Sequence, residues 1–254
     1  MTSTQETKKE TPPIQVKTLR KSFGMQKVLN GIDLQVAHGK TLSILGQSGT
    51  GKSVMLKILV GLQPPDSGSV LIHGQEISGL SLEALNEIRK KIGFLFQNSA
   101  LYDSMTVEQN VAFPLERHSD LSEAQRKKRV RELLSTVGME KDLDKLPGQI
   151  SGGMQKRVGL ARALALAPDI LLFDEPTSGL DPITASEIDD LILRMQKEQN
   201  ITSIVVTHDI PSARRVSDRL ALMRDGRILI QGTFKDLKES KDSFVVEFLN
   251  RTGC

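Results

Sequence analysis

One lysine set among glycines and small polar residues carries the clearest chemical signal in the sequence. The octapeptide Gly46-Gln47-Ser48-Gly49-Thr50-Gly51-Lys52-Ser53 follows the short apolar run Thr41–Leu45 and fits the pattern G-x-x-x-x-G-K-[ST]. Glycines allow backbone N–H groups to turn toward phosphate oxygens, Lys52 adds positive charge, and the start of a following helix adds its dipole. The motif therefore predicts a phosphate-binding loop, with Ser53 as a magnesium ligand.

Two adjacent carboxylates follow a second apolar run. Ile170–Phe173 delivers Asp174 and Glu175 to the end of a predicted strand, the edge where ligands gather in open α/β sheets. We expect Asp174 to hold magnesium, directly or through water, and Glu175 to polarise the water that attacks a γ-phosphate. The alternative is an ordinary strand end on the surface, and the phosphate loop makes that alternative the weaker one.

A second glycine-rich helix start lies about a hundred residues after the first. It reads Ile150-Ser151-Gly152-Gly153-Met154-Gln155 and precedes a run predicted to be helical, Lys156–Ala167. Ser151 suits an N-cap, and the glycines leave the N–H groups open to a second anion. With this motif the sequence resembles the ATP-binding cassette (ABC) ATPases, whose signature is LSGGQ. Ile150 and Met154 depart from that signature, but neither change removes a backbone donor.

The resemblance implies roles for four more residues. Gln97 matches the glutamine that contacts magnesium and senses the transport partner, and Asp181 matches the loop between the two nucleotide sites. His208 matches the switch histidine that contacts the γ-phosphate. Phe23 matches the aromatic residue that stacks on adenine. ATP and Mg²⁺ are the implied cofactors, and the signature of one subunit is implied to act in trans on the ATP of another.

Predicted strands and helices alternate in an order that would place these motifs at one edge of a sheet. The strands are expected at Ile14–Leu19, Ile32–Val36, Thr41–Leu45, Val70–His73, Ile92–Phe96, Ile170–Phe173, Ile204–Thr207 and Leu220–Met223, with a helical pattern over Thr106–Ala167. This alternation predicts an α/β protein. The resemblance, which covers about Ile14–Gly232, implies a P-loop NTPase of the ABC ATPase type. It has a RecA-like mixed sheet core, an antiparallel N-terminal β subdomain and a helical subdomain.

The predicted organisation has three parts. Residues 1–13 are expected to form a disordered tail, and residues 14–232 the ABC ATPase domain with a helical subdomain inserted at about 98–165. Residues 233–254 are expected to form a helical tail. Its apolar positions are Phe234, Leu237, Phe244, Val245 and Phe248.

The composition of the chain indicates which classes of partner it could bind. The 254 residues carry 34 Lys plus Arg against 31 Asp plus Glu, and a net charge of +3 is too small to indicate nucleic-acid binding. No stretch has the roughly 18–20 uncharged apolar residues of a membrane span, so a membrane role requires a partner. The resemblance implies a second ATPase subunit, in a homodimer, and a transmembrane permease. The chain would then lie peripherally on the cytoplasmic face of the inner membrane.

The segment Phe96–Leu115 narrows the resemblance to the Mla-type phospholipid-trafficking ATPases. That implies lipid transport between inner and outer membranes, with a permease and an MCE-domain lipid-binding protein. Three alternatives stay open. An ABC importer of an amino acid or another small solute is the first, and a non-transport ABC ATPase the second, although long heptad coils and a second cassette are missing. The third is a P-loop kinase, which needs neither the signature nor Glu175.

Overall fold

The computed structural model describes residues 11–250, which form two sheets flanked by helices. The strands are β1 (Ile14–Phe23), β2 (Gln26–Val36), β3 (Thr41–Leu45), β4 (Ser67–Ile72), β5 (Gln75–Glu76), β6 (Ile92–Leu95), β7 (Ile170–Asp174), β8 (Thr202–Thr207), β9 (Arg219–Arg224) and β10 (Arg227–Gly232). The helices are α1 (Lys52–Leu59), α2 (Leu82–Arg89), α3 (Val107–His118), α4 (Glu123–Thr136), α5 (Gly152–Ala163), α6 (Pro182–Gln199), α7 (Ile210–Val216), α8 (Phe234–Lys238) and α9 (Ser243–Asn250).

The larger sheet is mixed and has the strand order β10-β9-β3-β8-β7-β6. Strands β6, β7, β8, β3 and β9 run parallel, and β10 pairs antiparallel with β9. Leu45 pairs with Thr207, and Phe173 pairs with both Leu95 and Val205. The carboxyl ends of the five parallel strands therefore lie at one edge, as the sequence predicted.

The smaller sheet is antiparallel, with the order β2-β1-β4-β5. Together the two sheets confirm the predicted fold class. The predicted strands Ile14–Leu19 and Ile32–Val36 were too short, because the β1–β2 ladder continues to the pair Phe23–Gln26. Its outer part carries mostly polar residues, and the adjacent pair Val28 and Leu29 does not continue an apolar alternation, so hydrophobic periodicity does not detect it.

The predicted helical pattern over Thr106–Ala167 is wrong in part. Helices α3, α4 and α5 occupy this region, but residues 137–151 between α4 and α5 are not α-helical and contain one short 3-10 turn. Helix α5 also ends at Ala163, four residues before the predicted end. Pro168 explains why the helix does not reach Ala167, because proline has no N–H to donate to the Leu164 carbonyl and disfavours helical angles at the preceding residue; Ala167 has a φ of +52°.

Buried apolar side chains lie on both sides of the larger sheet. One cluster joins β1, β2 and β4 to α1, and another joins β6, β7 and β8 to α3–α6. Helices α8 and α9 bury Leu237 and Val245 against β9 and α7, so the described part of the C-terminal segment covers the core. No helix within residues 11–250 is long and apolar enough to cross a membrane.

The two chain ends are described only in part. At the N-terminus, the Pro13 carbonyl accepts a hydrogen bond from the His73 N–H at 2.8 Å, so residue 13 is held by the smaller sheet. The remainder of the predicted N-terminal tail, residues 1–10, and the last four residues of the predicted C-terminal tail lie outside the described residues.

Candidate nucleotide-binding site

The predicted phosphate loop lies between a fully buried strand and a helix. All five residues of β3 are buried, and α1 begins at Lys52. Gly51 has a φ of +98°, a conformation that side chains rarely adopt, and a Cβ at Gly46 would lie 2.6 Å from the Met223 carbonyl oxygen. Both positions therefore require glycine. Gln47, Ser48 and Gly49 are exposed at the top of the loop.

The ammonium group of Lys52 closes the loop from inside. Its Nζ donates hydrogen bonds to the carbonyl oxygens of Gly46, at 2.7 Å, and Gln47, at 3.0 Å. It also lies 3.8 Å from Glu175 Oε1. Burial lowers the pKa of Lys52, and the nearby carboxylates of Glu175 and Asp174 oppose that shift. The loop thus holds a buried cation among exposed backbone groups, an arrangement suited to an anionic phosphate.

Ser53 and Asp174 meet at the end of β7. The Ser53 hydroxyl donates to Asp174 Oδ1 at 2.8 Å, and Asp174 is 5% exposed. Burial raises the pKa of Asp174, while the Ser53 hydrogen bond opposes that rise. A hydroxyl and a carboxylate oxygen are ligands that suit Mg²⁺, which phosphate oxygens and water complete. The pair therefore fits the predicted magnesium site.

Glu175 lies between the loop lysine and His208. The residue is 8% exposed, and its Oε2 lies 2.8 Å from Nδ1 of His208, which follows β8. Its own N–H donates to the Val206 carbonyl at 2.8 Å, and its φ is +50°. The contacts bring Glu175, His208 and Lys52 together, as a water-polarising carboxylate beside a phosphate would require.

Gln97 and Phe23 are exposed residues at strand ends, one in each sheet. Gln97 follows β6 and is exposed. Phe23 ends β1, is 44% exposed, and lies under the Lys21 ammonium, which is 5.5 Å from the ring centroid. An exposed aromatic ring is of the type that stacks on a planar base.

The signature residues begin α5 as predicted. The Ser151 hydroxyl accepts a hydrogen bond from the Met154 N–H at 3.2 Å, which makes Ser151 the N-cap. Ser151 and Gly152 are exposed, Met154 packs against the helical core, and the Gln155 side chain donates to the Pro147 carbonyl at 3.0 Å. The exposed helix start is open to a ligand carried by another molecule.

Asp181 is the N-cap of α6. Its carboxylate accepts from the N–H groups of Ile183, at 3.0 Å, and Thr184, at 3.1 Å, and from the Thr184 hydroxyl at 2.6 Å. The Thr184 hydrogen bonds hold the pKa of Asp181 below its ordinary value. The side chain therefore fixes the helix that follows the predicted inter-site loop.

A buried carboxyl group joins α6 to the helix that follows His208. Asp189, on α6, is 4% exposed and accepts a hydrogen bond of 2.6 Å from Ser212 on α7. Burial raises its pKa from 3.8 to about 6, with Asp209 adding to the rise and Ser212 and Arg215 opposing it. The folded protein thus keeps this proton to a higher pH than the unfolded chain does.

We expect this carboxyl group to give folding stability a pH dependence. Its stabilising contribution is complete below about pH 4 and is lost as the pH rises through about 6, where Asp189 ionises. The free energy of unfolding of Asp189→Asn should therefore rise relative to that of wild type by roughly 2–3 kcal/mol between pH 4 and 7.5. Urea denaturation measures it. A difference between Asp189→Asn and wild type that stays constant across this pH range would contradict the expectation.

Sequence reasoning missed one cation close to the site. Lys156 is 4% exposed, and its Nζ donates to the carbonyl oxygens of Gln97 and, at 3.1 Å, Glu175. Helical spacing could have revealed it, because Lys156 lies on the same buried face of α5 as Gly153 and Leu160. A lysine on an apolar helix face calls for a buried partner.

The fold and the site define a P-loop ATPase of the cassette type. The family profile described as "ABC transporter" matches residues 29–178, and the chain belongs to this family. A solved structure, the dimer of the ATP-binding cassette MJ0796 in a post-hydrolysis state bound to ADP and Pi, superposes with a TM-score of 0.81 at 36% identity. The match covers 87% of this chain and 98% of that one. The protein is thus an ABC ATPase, as the sequence predicted.

Three relatives come from different transport systems. The probable ribonucleotide transport ATP-binding protein mkl of Mycobacterium leprae is 43% identical over 93% of this chain and 68% of its own length. The intermembrane phospholipid transport system ATP-binding protein MlaF of Haemophilus influenzae is 40% identical over 93% and 89%. The methionine import ATP-binding protein MetN of Brucella abortus is 41% identical over 87% and 60%. Identity to these three relatives ranges only from 40% to 43%.

Proposed function

We propose that this chain is the ATPase subunit of a transporter that moves phospholipid between inner and outer membranes. The observation that carries the proposal is the similarity to MlaF, which extends over 93% of this chain and 89% of that protein. The segment Phe96–Leu115, which follows β6, supports it through its resemblance to the Mla-type ATPases. In the proposed complex the chain lies on the cytoplasmic face of the inner membrane, with a permease and an MCE-domain lipid-binding protein.

In the proposed site, ATP phosphates lie in the loop of residues 46–53, and the adenine stacks on Phe23. Ser53, Gln97 and Asp174 hold Mg²⁺, whose charge neutralises phosphate oxygens when it is bound. Glu175 accepts the proton of the attacking water, and His208 contacts the γ-phosphate. The hydrogen bond between Glu175 and His208 keeps the carboxylate directed toward the loop.

The proposed working unit is a homodimer with two shared sites. Ser151, Gly152, Gly153, Met154 and Gln155 of one copy face the phosphates bound to the other, and Asp181 lies in the loop between the sites. Among the described residues, no hydrogen bond or ion pair joins this signature to the phosphate loop of the same chain. ATP would therefore bridge two surfaces, and loss of the γ-phosphate would release them.

This chain has a groove that could receive part of the permease, next to Phe96, the residue before Gln97. A cavity of about 490 Å³ lies between β6, α3 and α5 and is lined by aromatic rings. Phe94 stacks on Phe96 with 4.1 Å between ring centroids, and Tyr102 contacts Phe113 at 4.9 Å. We assign this groove to a short helix of the permease, because apolar helix faces dock in such grooves. Movement of that helix would then reach the nucleotide site through Gln97.

A second candidate function is import of a small solute, favoured by the 41% identity to MetN. Purification in mild detergent from the membranes of the cells that make the protein distinguishes the two. Lipid transport predicts that a permease, an MCE-domain protein and bound glycerophospholipid copurify, as identified by mass spectrometry. A permease that arrives with a solute-binding protein and no MCE-domain protein would reject the lipid proposal in favour of import.

A further inference from the structure

Lys156 is a buried cation whose described partners are backbone carbonyls. The ammonium donates to Gln97 O and Glu175 O, and no carboxylate within residues 11–250 lies at ion-pair distance from it. Burial lowers the pKa of Lys156, while the fields of Asp174 and Glu175 oppose that shift. A charge in such a place is costly, and an apolar side chain of similar length would fill the space at lower cost. Stability alone does not explain the lysine.

The two carbonyls belong to residues at adjacent strand ends. Gln97 follows β6 and Glu175 follows β7, and these strands pair in parallel from Ile92–Ile170 to Leu95–Phe173. Helix α5 packs closely on them, since a Cβ at Gly93 would lie 2.5 Å from the Ala163 carbonyl oxygen. The helix and the two strand ends therefore form one tightly packed unit, with the Lys156 ammonium between the strand ends.

The signature lies at the start of α5, the helix that carries Lys156. Ser151 caps α5 five residues before Lys156, about 7.5 Å along the helix axis. A phosphate held at the start of α5 would thus act on a helix whose second turn grips the Glu175 carbonyl. A second cation, Arg162, extends this grip by donating to the carbonyls of Ser99, at 2.6 Å, and Ala100, at 2.7 Å. The segment after β6 is held along most of α5.

Glu175 depends on such a hold because of its backbone. Its φ of +50° is rare for a residue with a side chain, and surrounding contacts must maintain it. Its N–H donates to Val206 and its carbonyl accepts from Lys156, so both backbone groups are fixed. The Ser178 N–H also donates to this carbonyl, at 3.2 Å, so loss of the Lys156 hydrogen bond would leave one neutral donor from the following turn to hold it. With the tie to α5 removed, the carboxylate could turn away from Lys52 and His208.

We propose that Lys156 is a positioning residue that couples the signature helix to the catalytic carboxylate of the same subunit. Engagement of the signature by the ATP of one site thereby aligns Glu175 in the other. This inference rests on the proposed roles of Glu175 and the signature. It predicts that Lys156 governs the rate of hydrolysis and the cooperativity between sites, while nucleotide affinity depends on the separate loop of residues 46–53.

Steady-state and binding measurements on the full chain test the proposal. Lys156→Met should lower kcat by about tenfold or more and bring the Hill coefficient for ATP toward one, while the Kd for a non-hydrolysable ATP analogue changes by less than about twofold. Lys156→Arg, which keeps charged donors, should recover part of kcat. The control Arg157→Met removes hydrogen bonds from the same helix to Val137 and Glu187 and should leave kcat and cooperativity near wild type.

Two outcomes for Lys156→Met would overturn the proposal. A folded Lys156→Met protein with wild-type kcat and cooperativity overturns the proposal, as does a loss of kcat equal to that of Arg157→Met, which would show a merely structural role. If Lys156→Met does not fold, Lys156→Gln is measured in its place. The glutamine amide can still donate hydrogen bonds, but it is neutral and so does not replace the charged donors of the ammonium group. Turnover by Glu175→Gln would instead reject the assigned base, so the two failures are distinct.

Discussion

Glu175→Gln is expected to lose ATP turnover by about a thousandfold while it still binds ATP tightly. The amide has nearly the shape of the carboxylate and can keep a hydrogen bond to His208, now 2.8 Å from Oε2. An amide cannot accept a proton from water, so the chemical step loses its base. The phosphate loop does not change, because Lys52 is held mainly by the Gly46 and Gln47 carbonyls.

Phosphate release measures the loss of turnover, and equilibrium binding of a fluorescent ATP analogue measures the retained affinity for ATP. Size-exclusion chromatography with ATP should also show a persistent dimer, because the γ-phosphate that bridges the subunits is not removed. Glu187→Gln is the matched control, since that carboxylate pairs with Arg157 at the surface and should not affect turnover. Turnover by Glu175→Gln within about threefold of wild type would mean that another group activates the water.

The local structure of the candidate nucleotide site was predictable where short motifs dictate backbone geometry. The loop before Lys52 requires glycine at Gly46 and Gly51, so its pattern of residue types reports the local fold directly. Asp174 and Glu175 were found in the same way, because a buried strand ends at them and ligands of parallel sheets lie at that edge. Ser151 as an N-cap is a local effect as well.

Features that depend on distant contacts were not predictable. The outer ends of β1 and β2 form strands because they pair with each other. The break between α4 and α5 did have local signals, namely Gly138, whose φ is +71°, and Pro147. Lys156 has no local motif, and its significance depends on carbonyls 59 and 19 residues away. Asp189 likewise gains its raised pKa from burial between α6 and α7. Sequence reveals such residues only as polar positions on apolar helix faces.

Two variants that are inert alone should regain activity when mixed. Lys52→Ala removes the cation of the phosphate loop and should abolish ATP binding. Gly152→Asp places a negative charge at the exposed start of α5, where the nearest atom to a new Cβ is 3.9 Å away, so the fold tolerates it. Gly153 is unsuitable, because a Cβ there would meet the Thr184 side chain at 2.4 Å. The aspartate repels the γ-phosphate of a facing ATP.

The outcome of mixing depends on which chain supplies each half of a site. In a trans arrangement, a mixed dimer joins the intact loop of the Gly152→Asp chain to the intact signature of the Lys52→Ala chain. An equal mixture should then recover at most about one quarter of wild-type turnover, since half of the dimers are mixed and each has one complete site. In a cis arrangement, every chain lacks one half and no activity returns.

The double variant Lys52→Ala/Gly152→Asp is the control, because its mixture with either single variant contains no complete site and should stay inert. Turnover measured against the mixing ratio adds a further check, since random pairing gives a maximum at equal amounts. Recovery below one quarter with that same maximum would mean that one site works poorly without the other, which is the dependence that the contact of Lys156 with Glu175 predicts. A flat response at the level of the control would contradict the shared site, and with it the route by which ATP holds two copies together.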